Sequence, residues 1–173
     1  MRIKLIYGSD TGNTELVTED IIKLLDDVEV TTVADLTPED WDHDKFILGI
    51  PTWYDGELQS DWEEYFEEFK TIDFTDKTVA IFGLGDQLGY EEWFCDGIGI
   101  LAEVIYKNGG RVIGYTKKDK TYDFETTPKS LTKTDPNTFY GLCLDEDNQP
   151  DLTLERLQNW VGDLNKEYYI NNK

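Results

Sequence analysis

The sequence predicts an α/β protein: one doubly wound parallel sheet with helices on both faces. Three observations predict it. Short apolar or β-branched runs alternate with segments of helical periodicity from one end of the chain to the other. Phe46-Ile47-Leu48-Gly49-Ile50 is apolar throughout, as a strand covered on both faces should be. The 173 residues, 39% of them hydrophobic, suffice for one full core, and no linker or internal repeat divides them. The expected unit is therefore a single domain over residues 1–173.

In order, strand one is expected at Arg2 to Tyr7. Helix one starts near Thr14, with Val17, Ile21 and Leu24 on its buried face and Asp26-Asp27 at its close. Val28 to Val33 is β-branched and reads as strand two. Ala34 to Lys45 is polar, with Pro38, and reads as a loop with one helical turn at most. Strand three is Phe46 to Ile50, ended by Pro51. A helix follows from Ser60, where Ser60 and Glu63 have capping-box spacing and Trp62, Phe66 and Phe69 share a face. Thr78 to Gly83 is strand four. Glu92 to Asn108 is a long helix with Phe94, Ile98, Leu101 and Ile105 inward, glycines at 97 and 99 for close packing, and Gly109 as its stop. Arg111 to Tyr115 begins strand five, Lys117 to Phe139 is a long polar segment, and Tyr140 to Leu144 resumes a strand. A final amphipathic helix carries Leu154, Leu157, Val161, Leu164 and Tyr168, capped by Thr153. A patternless segment of more than twenty residues inside a compact domain points to an interaction or functional loop.

The formal charge is −21. It argues against nucleic acid and anionic membrane as partners and for docking on a basic protein surface. From Asp55 to Asp96 there are thirteen Asp and Glu against two Lys, so about half of the excess sits in one segment. One histidine and no Cys/His cluster disfavour a protein-held metal centre. The chain has no signal-peptide pattern and no long apolar run, which predicts a soluble cytoplasmic protein. That compartment disfavours a disulfide between Cys95 and Cys143.

In a parallel α/β sheet the ligand binds beyond the carboxyl ends of the strands. Ser9-Asp10-Thr11-Gly12-Asn13-Thr14, after strand one, offers hydroxyls and the free N–H groups of a helix start but no cation. Taken alone it is equally an ordinary capped βα turn. Pro51 to Gly56 and Leu84 to Tyr90, after strands three and four, each bring a large aromatic, Trp53 and Tyr90, among glycines. Together they suggest a planar conjugated ligand carrying a phosphate. Neither a GxxxxGK[ST] phosphate loop nor a GxGxxG fingerprint is present.

Ser9-Asp10-Thr11-Gly12-Asn13-Thr14-Glu15, Pro51-Thr52-Trp53-Tyr54-Asp55-Gly56, Gly83-Leu84-Gly85-Asp86-Gln87-Leu88-Gly89-Tyr90 and Leu144-Asp145-Glu146-Asp147-Asn148-Gln149 resemble the motifs of the flavodoxins, in order and over nearly the whole chain. The resemblance is to the long-chain branch, whose extra loop interrupts strand five as Lys117–Phe139 does here. It implies a flavodoxin-like five-stranded sheet in order 2-1-3-4-5, for which flavodoxins are the standard example. It also implies non-covalent FMN, with the phosphate on Ser9, Asp10, Thr11, Gly12, Asn13 and Thr14. Thr52 would lie near the ribityl chain, and Trp53 and Tyr90 would sandwich the isoalloxazine. Backbone of Tyr54, Asp55, Gly85, Asp86 and Gln87 would meet the polar ring edge, Gly56 would ease the turn of the hairpin peptide, and Pro51, Leu84, Cys95 and Asp96 complete the implied cofactor-binding set. In the family the peptide after the tryptophan turns on reduction to bond flavin N5–H; here that is Tyr54–Asp55.

The implied function is a low-potential one-electron carrier, shuttling between semiquinone and hydroquinone and substituting for ferredoxin, not an enzyme. The alternative is an NAD(P)H- or quinone-dependent FMN reductase on the same fold. The implied partners are a ferredoxin/flavodoxin–NADP reductase, photosystem I or other ferredoxin-dependent enzymes, met by a monomer. Lys117, Lys118, Lys120, Lys129 and Lys133 form a basic island that departs from the family pattern.

Overall fold

A computed structural model describes residues 2–170, with side chains through 168. Nine strands are present among these residues: β1 Ile3–Tyr7, β2 Val28–Thr32, β3 Lys45–Trp53, β4 Glu57–Leu58, β5 Thr78–Leu84, β6 Arg111–Ile113, β7 Thr116–Lys117, β8 Thr138–Phe139 and β9 Leu142–Leu144. The helices are α1 Asn13–Leu24, α2 Ser60–Phe69, α3 Asp96–Lys107 and α4 Thr153–Ile170.

The central sheet runs β2-β1-β3-β5-β6 in parallel. β6 pairs with the start of β5 (Thr78 opposite Arg111) and β9 with its end (Phe82 opposite Leu142), so β6 and β9 are two halves of one interrupted fifth strand. Counted that way the order is 2-1-3-4-5, as the resemblance implied. The core has two parts, one on each face. Trp62 and Phe69 of α2 join Ile98, Leu101 and Ile105 of α3 against Phe46, Leu48 and Ile81 on one face. Val17 and Ile21 of α1 join Leu157, Val161 and Leu164 of α4 against Leu5, Ile47 and Phe82 on the other. Adjacent residues Phe46 and Ile47 thus enter opposite cores, which is why strand three shows no alternation.

Several boundaries differ from the sequence reading. Pro51 does not end strand three; β3 continues to Trp53, with Pro51 opposite Leu84. β1 leaves β3 at Gly49, so Pro51 lies on a one-sided stretch where its missing N–H costs no ladder bond. Ser60 does not cap α2. Its hydroxyl is drawn to Asp10, and Gln59 caps instead, its side chain accepting the Trp62 N–H at 3.2 Å. The long helix starts at Asp96, not Glu92: Glu91–Trp93 is a 3-10 turn, and Phe94 leaves helical geometry to pack on Tyr122, Phe124 and Phe139. Leu25 rather than Leu24 is fully inside, Leu154 is exposed, and Trp160 is buried in its place. The loop after β2 holds two 3-10 turns, Val33–Asp35 and Pro38–Asp42, and buries Trp41. Gly114, at φ 77°, breaks strand five before Tyr115.

The long insertion is more ordered than its composition suggests. β7 and β8 form a small hairpin, and Tyr122, Phe124, Leu131 and Phe139 are buried beneath the polar residues. Gly99 has no side chain because a Cβ would fall 1.8 Å from the Lys129 carbonyl oxygen, so the loop lies directly on α3. Its lysines serve partly inside it. Lys117 Nζ bonds Asp135 (3.0 Å) and Thr138 (2.7 Å), and Lys118 Nζ sits 4.1 Å from the centre of the Phe124 ring.

Candidate functional site

The carboxyl ends of the parallel strands open on one edge of the sheet, around a cavity of about 370 Å³. Four chain segments line it. Asp10, Thr11, Asn13 and Thr14 come from the loop after β1, and Pro51 to Tyr54 from the end of β3. Leu84 to Asp86 and Tyr90 follow β5, and Glu146 and Asp147 follow β9.

The first loop is made by Gly12, whose φ of 92° turns the chain into α1. Its N–H donates to Ser9 Oγ at 3.1 Å. No side chain caps α1, so the first-turn N–H groups face the cavity end with the positive pole of the helix and no cation beside them. Ser9 and Gly12 shape this loop but do not line the cavity.

The second loop is a hairpin in which β4 pairs back on β3, Trp53 opposite Glu57. Its turn holds two left-handed residues, Tyr54 at φ 42° and Gly56 at φ 84°. A Cβ on Gly56 would lie 2.9 Å from Asp96 Oδ2 and 3.0 Å from the Trp93 ring, so only glycine fits without adjustment. Thr52 Oγ1 accepts the Gly97 N–H at 2.9 Å, fastening the hairpin to α3.

The third loop is shaped by Asp86, whose Oδ1 accepts the N–H groups of Gly89 (2.7 Å) and Leu88 (3.1 Å) and the Asn148 amide (2.9 Å). Burial pushes its pKa up, but these bonds outweigh burial and hold it below the usual carboxylate value. Trp53 and Tyr90 stand in the same cavity wall system, and Tyr54 touches both. Its ring meets Tyr90 edge-on (6.0 Å, 80°) and Trp53 at a tilt (6.3 Å, 44°).

Other residues named from the sequence lie behind these walls. Gln87 is buried, donating to Asp145 (2.8 Å) and accepting from the Asp123 N–H (2.7 Å). Cys95 is buried at the start of α3 with φ 56°, and Cys95 and Cys143 are both free thiols. Asp96 is buried, accepts the Lys129 N–H at 2.7 Å, and has its pKa raised by burial. Asp55 and Gly56 form the outer side of the hairpin turn.

Glu146 and Asp147 were absent from the sequence-based set. Burial, and then the charges of Asp86 and Asp145, raise the pKa of Asp147. The acidic run after the last strand was the available signal, since it follows the strand paired beside Leu84. The donor set fits a flat ligand with one phosphate. A cation-free N–H loop and two aromatic rings line the same cavity, and the buried Trp53 Nε1 has no acceptor of its own.

The flavodoxin family profile matches residues 5–160. The chain is 44% identical over 168 residues to a flavodoxin of Haemophilus influenzae, covering 95% of this chain and 94% of that protein. It is 45% identical over 174 residues to a flavodoxin of Nostoc sp., covering 96% and 97%. It superposes on the Fusobacterium nucleatum flavodoxin bound to flavin mononucleotide with a TM-score of 0.89 at 34% identity, covering 96% and 98%.

Proposed function

The chain belongs to the flavodoxin family and is an FMN-based electron carrier rather than an enzyme; from that premise we propose which of its residues hold the cofactor and what they do to it. The observation that carries the reading is the slot itself, which a cation-free N–H loop lines together with Trp53 and Tyr90. In a single domain spanning the chain, Thr11, Asn13 and Thr14 would hold the FMN phosphate through N–H and hydroxyl donors. A phosphate that is never transferred needs no lysine or magnesium. Pro51 and Thr52 would line the ribityl chain, and Trp53 and Tyr90 would flank the ring. The Tyr54–Gly56 turn and Gly85–Asp86 would meet the ring's polar edge.

Bound FMN supplies the electron-carrying chemistry. The chain's part is to exclude water from the ring faces and to surround it with negative charge. Asp86, Glu146 and Asp147 line the cavity. One such charge at ~10 Å in an effective dielectric of ~40 disfavours an added electron by about 0.8 kcal/mol, on the order of 35 mV. Several together make a low-potential, one-electron carrier that can stand in for ferredoxin. The acidic Asp55–Asp96 segment suits a basic docking face, as on a ferredoxin/flavodoxin–NADP reductase or photosystem I. No helix among the described residues is long and apolar enough to cross a membrane, and we place the protein in the cytoplasm as a monomer.

A reductive titration of the purified protein, followed by visible spectroscopy, tests this reading. Two resolved one-electron steps and one FMN per chain are expected. Rapid bleaching by NADPH alone, with no partner protein, would overturn the carrier reading in favour of a flavin reductase.

A further inference from the structure

Electron transfer gives the basic island of the insertion no role, and the structure divides that island in two. Lys117 and Lys118 are used internally, Lys117 in an ion pair with Asp135 and Lys118 on the Phe124 carbonyl and ring. Lys129 and Lys133 are exposed, and among the described residues neither ammonium is in an ion pair. Both line a groove of about 630 Å³ between α3 and the insertion, where Glu103 is the only carboxylate. The groove is thus cationic in a chain of net charge −21.

The floor of this groove is aromatic. A second groove of about 400 Å³ shares Tyr106, Thr132 and Tyr140 with the first, so the two run together, and it adds Tyr115. Its one carboxylate, Asp135, is already paired with Lys117. Tyr140 stands between the other two rings, 6.2 Å from Tyr106 and 6.0 Å from Tyr115. Tyr106 is 43% exposed and Tyr115 45%, so their faces are open to a partner. None of these residues lines the cavity at the carboxyl ends of the strands.

Rings about 6 Å apart match alternate residues of an extended or polyproline II chain, which are about 6–7 Å apart. Such segments lie in aromatic-lined grooves at little entropic cost, and the charge on the rim selects which segment enters. Lysines on the rim select carboxylates. A second copy of this chain is a poor occupant, because two molecules of charge −21 repel as they approach.

We propose that this groove docks an acidic, extended, proline-containing segment of a partner protein. The occupant is opposite in charge to the partner that the Asp55–Asp96 segment suits, and it sits apart from the flavin. A carrier held here keeps its flavin edge free for a basic redox partner.

The test is an NMR titration of the isotope-labelled holoprotein with a synthetic peptide alternating Pro and Glu. Amide shifts are expected at Glu103, Tyr106, Lys133 and Tyr140, and none at Thr11, Trp53 or Tyr90. Lys129→Gln combined with Lys133→Gln is expected to weaken the peptide roughly 2- to 30-fold. Tyr106→Ser is expected to weaken it roughly 2- to 10-fold through the lost ring contact. A peptide alternating Pro and Gln should bind the wild-type chain more weakly than the acidic one, and the two should bind the double lysine variant alike. The substituted side chains are exposed while Leu131 and Phe139 beneath them are kept, so the fold survives. Absence of groove shifts with the acidic peptide would overturn the proposal. Equal binding of the two peptides to the wild-type chain would also overturn it, because the lysines would then select nothing. Groove shifts that grow with protein concentration alone, with a doubling of mass, would give the groove to a second copy instead.

Discussion

Tyr90 forms one wall of the slot without help from the core. It sits between the Asp86 carbonyl, which takes its N–H at 3.0 Å, and the 3-10 turn it begins, so its backbone is fixed while its ring stays at the cavity. Tyr90→Ala should remove the stacking and part of the apolar cover. Stacking contributes about 0.5–1.5 kcal/mol beyond area, and with lost burial the total is about 1–3 kcal/mol. FMN affinity should fall roughly 5- to 150-fold, and the lower potential should rise as water reaches the ring; apoprotein titration and potentiometry measure the two. No change in either would remove Tyr90 from the wall. At this scale the sequence made Trp53, Tyr90 and the threonines legible, because each is tied to the end of a recognisable strand. It could not show that Gln59 is buried or that Asp10 meets Ser60, since those contacts join residues about fifty positions apart. Only the folded sheet brings them together.

The strand-five insertion shows why an element can be hidden in a sequence. Residues 117–139 read as polar because Lys, Thr and Asp outnumber the rest, yet Tyr122, Phe124, Leu131 and Phe139 fill a pocket over Phe94. Their spacing follows neither 2 nor 3.6, so no periodic pattern betrays them. Strand three, with every position apolar, was legible except at Pro51, where neighbour loss on one edge overrides the usual rule. Asp135 is the insertion's local anchor. Bonds from the Thr138 hydroxyl, the Asn137 N–H and Lys117 hold its pKa at about 2. Its folded value lies below the unfolded 3.8, so its contribution is fully present above that value and fades as the pH falls through about 2. Amide exchange at Asn137 and Thr138 should therefore stay protected at pH 4 and rise toward pH 2. In Asp135→Asn it should be faster at every pH and lose that acid limb. A wild-type acid limb near pH 4 would show that Asp135 is not the anchor.

For the whole molecule, charge decides encounter more than fold. A net −21 spread evenly would repel every anion equally, but thirteen acidic residues between Asp55 and Asp96 concentrate it on the hairpin, α2 and the loop after β5. Glu57, Glu91 and Glu92 are exposed there, next to the residues that frame the cavity. Opposite charges steer association over distances comparable to the Debye length, about 10 Å at 0.1 M salt and about 30 Å at 0.01 M. Electron transfer to a basic redox partner should therefore slow at least tenfold between ~0.01 M and ~0.5 M salt when binding is limiting. Replacing Glu57, Glu91 and Glu92 together by Gln should slow it several-fold at low salt and flatten the salt dependence. Glu155→Gln, on the exposed side of α4 across the sheet, should leave both nearly unchanged. Stopped-flow transfer rates against salt separate these cases. Equal losses per charge removed would mean that net charge alone governs the encounter. A loss confined to the first set assigns docking to the edge where the cavity opens, which is also the edge where an electron has the shortest way out.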